Sequence, residues 1–233
     1  MMKKMLLGFG LSAALAAAPA SAATLSVGHG IPGGDDGLPV DICLVTDLGT
    51  DALFTGVTFS QFATVNADLP AGRYDVEVRL TDGGMCKGVV AAAGSIFLGL
   101  GENATALAHL TEQGTPVITK YVNDFRPLMD GKTRIYARHA ASAGDVNVSI
   151  LKDHRHRKYR KGVVIRGLEN PDQEGATLRA GTYKVAIYPA SSWRNTLFSA
   201  KLPLQAGISY FAYAVGSPAD GSFTVLLQEF PIP

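Results

Sequence analysis

The sequence is poor in the residues from which most catalytic and metal sites are built. Only 18% of its 233 residues are charged, two are cysteine and one is tryptophan. No segment after residue 22 keeps the 3.6-residue apolar period of an amphipathic helix. We find no serine-nucleophile elbow, paired cysteine–histidine signature, phosphate loop or zinc-binding helix motif. These absences predict a non-enzymatic protein without cofactor or metal. A hydrolase with a dispersed site stays open, because a triad is defined by geometry.

What is present begins with an export signal. Lys3 and Lys4 precede an apolar run from Leu6 to Ala18, and Ala20-Ser21-Ala22 has the small residues that a signal peptidase accepts. The run is too short to span a bilayer comfortably, and no later stretch is long enough. We therefore predict a cleaved signal peptide over residues 1–22, no membrane span after cleavage, and an exported, periplasmic or extracellular protein. An uncleaved anchor is the alternative.

The rest of the chain has the composition of a folded protein with many turns. Apolar residues make up 47% of the sequence, with 26 glycines and 12 prolines, which favours a packed core over disorder. Removal of Lys3 and Lys4 leaves 19 basic and 20 acidic residues. Because this net charge is close to zero, overall charge indicates no class of partner.

The two cysteines, Cys43 and Cys86, favour a disulfide, because an exported chain with an even cysteine count matures in an oxidising compartment. Free thiols or soft-metal ligands are the alternatives. Neither cysteine belongs to a Cys-x-x-Cys pair, which disfavours redox catalysis.

An internal repeat fixes the organisation of the chain. Residues 69–76 align with residues 178–185 with five of eight identities at an offset of 109, and His29 aligns with His139 at 110. As a third landmark we align Ala93-Gly94 with Ala206-Gly207, at 113. Two copies of one domain are therefore predicted, over residues 23–125 and 133–233, joined by a linker at 126–132.

Each copy has the two-residue period of half-buried strands. Tyr74, Val76, Val78 and Leu80 alternate with charged residues, and Tyr183, Val185 and Ile187 repeat this pattern in the second copy. Many short strands without helices predict an all-β fold in which each copy is an antiparallel sandwich or barrel.

Two segments resemble a known family. The run from Thr133 to Ser142, followed by Asp145-Val146-Asn147-Val148, resembles the opening strand and Val-Asp-Val strand of the domain of unknown function 4397 family. Leu-x-Ala-Gly-x-Tyr-x-Val, at residues 69–76 and 178–185, resembles its second landmark. His139 is not followed by the family's Pro-Asp-Ala-Pro. The resemblance implies tandem immunoglobulin-like or transthyretin-like β-sandwiches at the cell surface, and it implies no activity.

A basic run is the strongest local anomaly. Residues 152–161 hold six basic residues and one acidic residue, Asp153; the basic ones are Lys152, Arg155, Arg157, Lys158, Arg160 and Lys161. They form a possible anion-binding site, since clustered charge attracts anionic polymers such as lipopolysaccharide, polysaccharide or nucleic acid. The alternative is a solvated loop whose charge prevents edge-to-edge aggregation of a sheet.

Other candidate residues favour structural roles. His29 and His139 each end an opening strand, and one histidine per domain lacks the convergent ligands of a metal site. The Gly-x-Gly-x-x-Gly pattern at residues 28–33 is followed by Asp35-Asp36 rather than by a helix start, so it predicts no dinucleotide site. Trp193 fits a loop residue that caps the sandwich, or one that stacks on a sugar.

These observations together predict a secreted or cell-envelope structural or adhesive binding module of unknown ligand. Its partner would be an envelope protein or a glycan. Binding of anionic polymers through residues 152–161 is the alternative.

Overall fold

The computed structural model describes residues 22–33, 38–46, 49–65, 69–82, 84–153 and 162–232. The predicted signal peptide, apart from Ala22, and the Asp35-Asp36 pair lie outside these residues and stay predictions. Within the described residues the chain forms sixteen strands and no helix. The strands make four four-stranded sheets, which pack as two sandwiches. The prediction of an all-β fold with two tandem β-sandwiches is therefore confirmed.

The first sandwich contains eight strands. They are β1 (Thr24–His29), β2 (Val40–Thr46), β3 (Gly49–Val57), β4 (Phe62–Thr64), β5 (Gly72–Leu80), β6 (Val90–Leu98), β7 (Asn103–Leu110) and β8 (Pro116–Val122). One sheet has the order β4-β1-β7-β8 and the other the order β3-β2-β5-β6. Neighbouring strands are antiparallel except β1 and β7, which are parallel.

The second sandwich repeats this topology strand for strand. Its strands are β9 (Lys132–Ala141), β10 (Val146–Lys152), β11 (Gly162–Leu168), β12 (Gln173–Arg179), β13 (Gly181–Pro189), β14 (Phe198–Leu204), β15 (Ile208–Gly216) and β16 (Thr224–Pro231). The sheet orders are β12-β9-β15-β16 and β11-β10-β13-β14, and β9 is parallel to β15. β9 begins at Lys132, the last residue of the predicted linker.

One of the three repeat landmarks is wrong. Gly94 lies within β6, where it pairs with Val76, whereas Gly207 lies in the turn between β14 and β15. The glycine equivalent to Gly207 is Gly101, in the turn between β6 and β7, and both have positive φ (74° and 63°). The prediction failed because an Ala-Gly dipeptide is compatible both with a tight turn, as at Gly207, and with a crowded position within a strand, as at Gly94.

The Leu-x-Ala-Gly-x-Tyr landmark forms the same corner in both copies. The Tyr74 hydroxyl donates a hydrogen bond to the Pro70 carbonyl, and the Tyr183 hydroxyl donates one to the Arg179 carbonyl, each at 2.7 Å. A tyrosine that bonds back to the chain a few residues upstream is typical of immunoglobulin-like sandwiches. The motif therefore sets how the chain enters β5 and β13.

Each sandwich has its own apolar core. Val76 and Val78 of β5 face the first core, and Val185 and Ile187 of β13 face the second, as the two-residue period predicts. A third apolar cluster takes its residues from both sandwiches. It lies where the β4-β1-β7-β8 sheet meets the β12-β9-β15-β16 sheet, so the two copies pack against each other through equivalent sheets.

Candidate functional site

The contact between the sandwiches is an aromatic layer. Tyr121 of β8 meets Tyr213 of β15 edge to face at 5.8 Å between ring centroids, and Phe62 of β4 lies 5.2 Å from the same ring. Phe211 stacks on Tyr136 at 5.6 Å. Aromatic pairs of this kind combine large buried area with a preferred geometry. The layer therefore fixes how the two sandwiches are oriented.

A buried cation lies in the middle of this layer. Arg138 of β9 is 1% exposed, and its guanidinium carbon lies 4.3 Å from the Phe211 ring centroid, 4.9 Å from that of Tyr121 and 5.0 Å from that of Tyr213. Among the described residues no carboxylate forms an ion pair with it. Burial without a counter-ion is costly, so the surrounding rings and hydrogen-bond acceptors must replace the lost water.

Acceptors from both sandwiches satisfy the Arg138 guanidinium. It donates to the Val122 carbonyl at 2.9 Å and to Asn123 Oδ1 at 3.0 Å, at the end of β8 and directly after it in the first sandwich. In the second sandwich it donates to Gln173 Oε1 at 2.8 Å and to the Tyr213 hydroxyl. Neither sandwich alone supplies the complete set.

A polar network extends from this cation across the contact. The Tyr213 hydroxyl donates to Gln228 Oε1 at 2.6 Å, and Thr105 Oγ1 of β7 donates to the same oxygen at 3.2 Å. Asn123 Nδ2 in turn donates to Thr105 Oγ1 at 3.1 Å. Because buried polar groups destabilise a fold unless they are bonded, this network specifies one arrangement of the two sandwiches.

Two further bonds join the sandwiches at the end where β7 and β9 finish. Asn170 Nδ2 donates to the Leu110 carbonyl of the first sandwich at 2.9 Å and to the Ala141 carbonyl of the second at 2.7 Å. Ser142 Oγ donates to the Glu112 carbonyl at 3.0 Å. The two copies therefore act as one body at this end as well as at Arg138.

The two predicted histidines lie at equivalent positions and are both buried. His29 ends β1 as predicted, whereas β9 continues for two residues beyond His139. His29 Nε2 lies 3.4 Å from the Leu38 carbonyl, and His139 Nε2 lies 3.1 Å from the Gly144 carbonyl. The Ala141 amide donates to His139 Nδ1 at 3.4 Å, so His139 is held as the neutral tautomer with its proton on Nε2. Burial lowers the pKa of both rings, against the opposing effect of these carbonyls. Their contacts are those of structural residues.

A third histidine, which the sequence analysis did not single out, lies beside His139. His109 of β7 is fully buried; its Nδ1 donates to the Leu110 carbonyl at 3.0 Å, and its Nε2 lies 2.8 Å from Thr119 Oγ1. Burial lowers its pKa. None of the three histidines contacts a serine hydroxyl or a carboxylate among the bonds of the described residues. The one side-chain hydroxyl bonded to a histidine there is that of Thr119, and its partner His109 is fully buried.

Cys43 and Cys86 form the predicted disulfide, with 6.0 Å between their Cα atoms. Asp41, which is fully buried, organises the same region: its carboxylate accepts bonds from the Cys86 amide at 2.9 Å, the Gly56 amide at 3.1 Å and the Thr81 hydroxyl at 3.1 Å. Burial alone would raise the pKa of Asp41, but these three bonds lower it below its ordinary value. Asn147 is its counterpart and accepts from the Gly167 amide at 3.1 Å.

An open groove of about 640 Å³ lies at the end where β9, β13 and β15 finish. Its walls are loops of the second sandwich and the β7–β8 hairpin of the first; they include Glu112, Ser142, Asp145, Ser191 and Pro218. Its lining contains two carboxylates and small residues but no histidine. The side chains that could contact a partner in the groove are therefore mostly small or acidic.

The predicted basic run is described only at its first two residues. Lys152 donates to the Ala180 carbonyl at 3.3 Å and lies 5.9 Å from the Tyr183 ring, and Asp153 pairs with Lys201 at 2.8 Å. Arg155, Arg157, Lys158, Arg160 and Lys161 lie outside the described residues, so their part in anion binding stays a prediction.

Sequence reasoning missed the polar contact between the sandwiches. Arg138 precedes His139 in the opening strand, and its equivalent in the first copy is Gly28, so the repeat itself breaks at this position. A side chain on Gly28 would meet the Phe62 ring at 2.5 Å. The available signal was the presence of two arginines, Arg134 and Arg138, in one strand with apolar neighbours.

Within the described ranges no helix is long and apolar enough to cross a bilayer. No group of three or more histidine, cysteine, aspartate or glutamate side chains converges there as metal ligands would.

Several solved structures align with the chain at low similarity. The TIE protein of Bacillus anthracis is 11% identical (TM-score 0.25), with 91% of this chain and 31% of that protein covered, so the chain spans about a third of it. A Bacteroides uniformis protein provisionally named a cell adhesion protein is 10% identical (TM-score 0.32; 90% and 98% covered). A family 26 carbohydrate-binding module of Eubacterium rectale Amy13K, solved with maltoheptaose, is 11% identical (TM-score 0.27; 87% and 95% covered). Likenesses of this size carry no information about a shared ligand.

No curated protein of known function matches the sequence. A family profile does match, over residues 23–149, and its description is a domain of unknown function, DUF4397. The match includes the whole first sandwich and continues through β9 into β10. Because it covers more than half of the chain, the protein belongs to the DUF4397 family.

Proposed function

We propose that the protein is an exported, non-catalytic binding module that works in the periplasm or outside the cell. One observation carries the proposal: Arg138, buried with no ion-pair partner among the described residues, donates hydrogen bonds to acceptors in both sandwiches. A contact built in this way fixes the two sandwiches, and the surfaces that they expose, relative to each other. Rigid presentation of a surface is what a binding or adhesive module requires.

The buried histidines support the same proposal. General acid–base catalysis needs a titratable group within hydrogen-bond reach of a substrate. His29, His109 and His139 are instead buried and bonded mainly to backbone carbonyls, and burial favours their neutral forms. The polar side chains that line the groove are two carboxylates and two serine hydroxyls, and no imidazole is among them. We expect it to contact a partner without transforming it.

Two assays of the chain from residue 23 onward test the proposal. In the first, the protein is titrated onto immobilised polysaccharide and protein fractions of a bacterial cell envelope, and saturable binding to one fraction is expected. In the second, it is incubated with ester, glycoside and peptide substrates, and turnover should not exceed that of heat-denatured protein. Turnover by the folded protein but not by the heat-denatured protein would overturn the proposal. Failure to bind any of the fractions would also overturn it.

A further inference from the structure

The sheet of the second sandwich that faces away from the first carries an excess of positive charge. In β13, Tyr183 and Val185 point into the core, so Lys184 between them points outward, and it is exposed. By the same alternation Lys201 of β14 and Arg166 of β11 lie on this outer face. All three are basic. We define the outer face as Arg166, Lys184, Tyr188, Trp193 and Lys201.

Two of these cations lie directly opposite each other. Lys184 pairs with Lys201 across β13 and β14, and like charges at paired positions destabilise a sheet. Asp153 offsets one of them through its ion pair with Lys201 at 2.8 Å. Among the described residues Lys184 has no ion-pair partner. Folding does not favour this juxtaposition, which suggests that it serves a ligand.

The first sandwich provides an internal comparison, because it has the same sheet with different charges. The positions equivalent to Lys184 and Lys201 are Asp75 and Ser95, which pair across β5 and β6 and are joined by a hydrogen bond. Arg73 pairs with Asp75 at 3.3 Å, and Arg79 pairs with Glu77 at 2.6 Å. Charges on that face are balanced, so the excess of cations belongs to the second copy alone.

An aromatic pair continues the outer face toward the other end of the sheet. Trp193 is 42% exposed; it packs on Tyr188 at 5.3 Å between ring centroids, and the Arg166 guanidinium lies 5.1 Å from the indole centroid. Tyr188 is four residues from Lys184 along β13, roughly 13 Å at the rise of a strand. Cations and an exposed indole therefore share one surface long enough for several sugar units.

From this charge complementarity we propose that the outer face binds an anionic polysaccharide, with Lys184 and Lys201 contacting its acidic groups and Trp193 packing on a sugar ring. The inference rests on the proposed function and names the class of partner. A polysaccharide is favoured over a nucleic acid because the export signal and the disulfide indicate an oxidising compartment outside the cytoplasm. β10 ends at Lys152, the first residue of the basic run. The contacts proposed for the polysaccharide involve only described residues.

The test measures dissociation constants over a range of salt concentrations. The probes are heparin and polygalacturonate, which are anionic, dextran, which is neutral, and duplex DNA. The K184S/K201S variant removes two cations from the outer face. The R73S/K87S variant removes two exposed cations from the first sandwich and is the matched control. Circular dichroism checks that both variants are folded.

We expect both anionic polysaccharides to bind and dextran not to. The slope of log Kd against log salt should fall by about two in K184S/K201S, one for each cation removed, and should not change in R73S/K87S. Trp193→Ala should weaken binding without changing the slope, because it removes no charge.

Three results would overturn the inference: wild-type affinity in K184S/K201S, equal losses in both double variants, or tighter binding of DNA than of either polysaccharide. If envelope fractions bind saturably while heparin and polygalacturonate do not, the proposed function stands and this inference fails. Turnover of a substrate would contradict the proposed function instead.

Discussion

Arg138 of the second sandwich donates a hydrogen bond of 3.0 Å to the side-chain oxygen of Asn123 in the first. The arginine is almost completely buried, and its remaining hydrogen-bond acceptors are divided between the two sandwiches. Separation of the sandwiches would therefore expose the aromatic layer and break the hydrogen bonds that Arg138 donates to the first sandwich. The two copies should unfold together.

Replacement of this arginine is the first prediction. Arg138→Ala should lower the free energy of unfolding by about 2–5 kcal/mol, because it leaves a cavity in the aromatic layer and acceptors without a donor. Denaturant unfolding followed by fluorescence measures the loss. Arg73→Ala, at an exposed ion pair, is the control and should change stability by less than about 1 kcal/mol. Equal effects of both substitutions would contradict the structural role of Arg138.

Asp41 should stabilise the disulfide region only while it is ionised. Asp41→Ala removes three hydrogen bonds to a buried carboxylate and should cost about 2–4 kcal/mol at neutral pH. Because the folded pKa lies below the ordinary value of 3.8, this contribution is present above that pH and is lost as the pH falls through the folded pKa. Unfolding free energies from pH 7 to pH 2 should thus converge for the two proteins. Parallel pH curves would show that the carboxylate charge is irrelevant.

The buried histidines should make the protein less stable in mild acid. Burial lowers the pKa of His29, His109 and His139 below 6.5, so the unfolded chain binds more protons than the fold at lower pH. The free energy of unfolding should be insensitive to these groups above about pH 6.5 and should fall as the pH decreases below it. His139→Gln should reduce the slope by up to about 1.4 kcal/mol per pH unit, the effect of one proton. An unchanged slope would contradict the assignment of His139 as neutral.

Cys86 adopts a left-handed backbone conformation, with φ of 56°, which is unfavourable for residues other than glycine. In the absence of the disulfide, glycine should therefore be preferred there. We expect Cys43→Ala/Cys86→Gly to be more stable than Cys43→Ala/Cys86→Ala by about 0.5–1 kcal/mol, with both well below the oxidised wild type. Thermal unfolding of the three proteins provides the comparison. A more stable alanine variant would show that this residue does not keep its left-handed conformation.

The internal repeat also allows the proposed polysaccharide surface to be moved. Asp75→Lys with Ser95→Lys places two opposed lysines on the outer face of the first sandwich, at positions equivalent to Lys184 and Lys201. In a K184S/K201S background this transfer should restore the salt dependence that the two serine substitutions remove. The slope of log Kd for heparin against log salt should rise by about two. Heparin titrations at several salt concentrations measure it. If no binding returns, paired lysines are insufficient without the aromatic end of the face.

The strands and the duplication were predictable because both leave local signals. Alternation in residues 73–80 directly reports one buried and one exposed face, and the tyrosine corner repeats as a recognisable motif at Tyr74 and Tyr183. The parallel pairing of β1 with β7 joins strands far apart in sequence, and no local pattern encodes it. The Ala-Gly landmark failed for a related reason, since the dipeptide suits more than one backbone environment.

The contact between the sandwiches could not be predicted, because each of its residues, taken alone, is of a type that is common in or near strands. Phe211 and Tyr213 are expected to be core residues of a strand, yet they face the first sandwich, whereas Tyr210, directly before Phe211, faces the second core. Gln173 and Asn123 are polar residues near strand ends, where solvated side chains are expected. The pairing of β12 with β9 brings Gln173 beside Arg138, and the packing of the two equivalent sheets brings Asn123 to it.

A double-mutant cycle between Arg138 and Asn123 tests the joining of the two sandwiches most directly. Arg138→Met, Asn123→Ala and the double variant are compared with the wild type by equilibrium unfolding. Direct contact across the two halves predicts a coupling energy of about 1–3 kcal/mol, because the second substitution should cost less once the first has removed the bond. Strict additivity, together with two separate unfolding transitions in the wild type, would contradict the account and show that the sandwiches are independent.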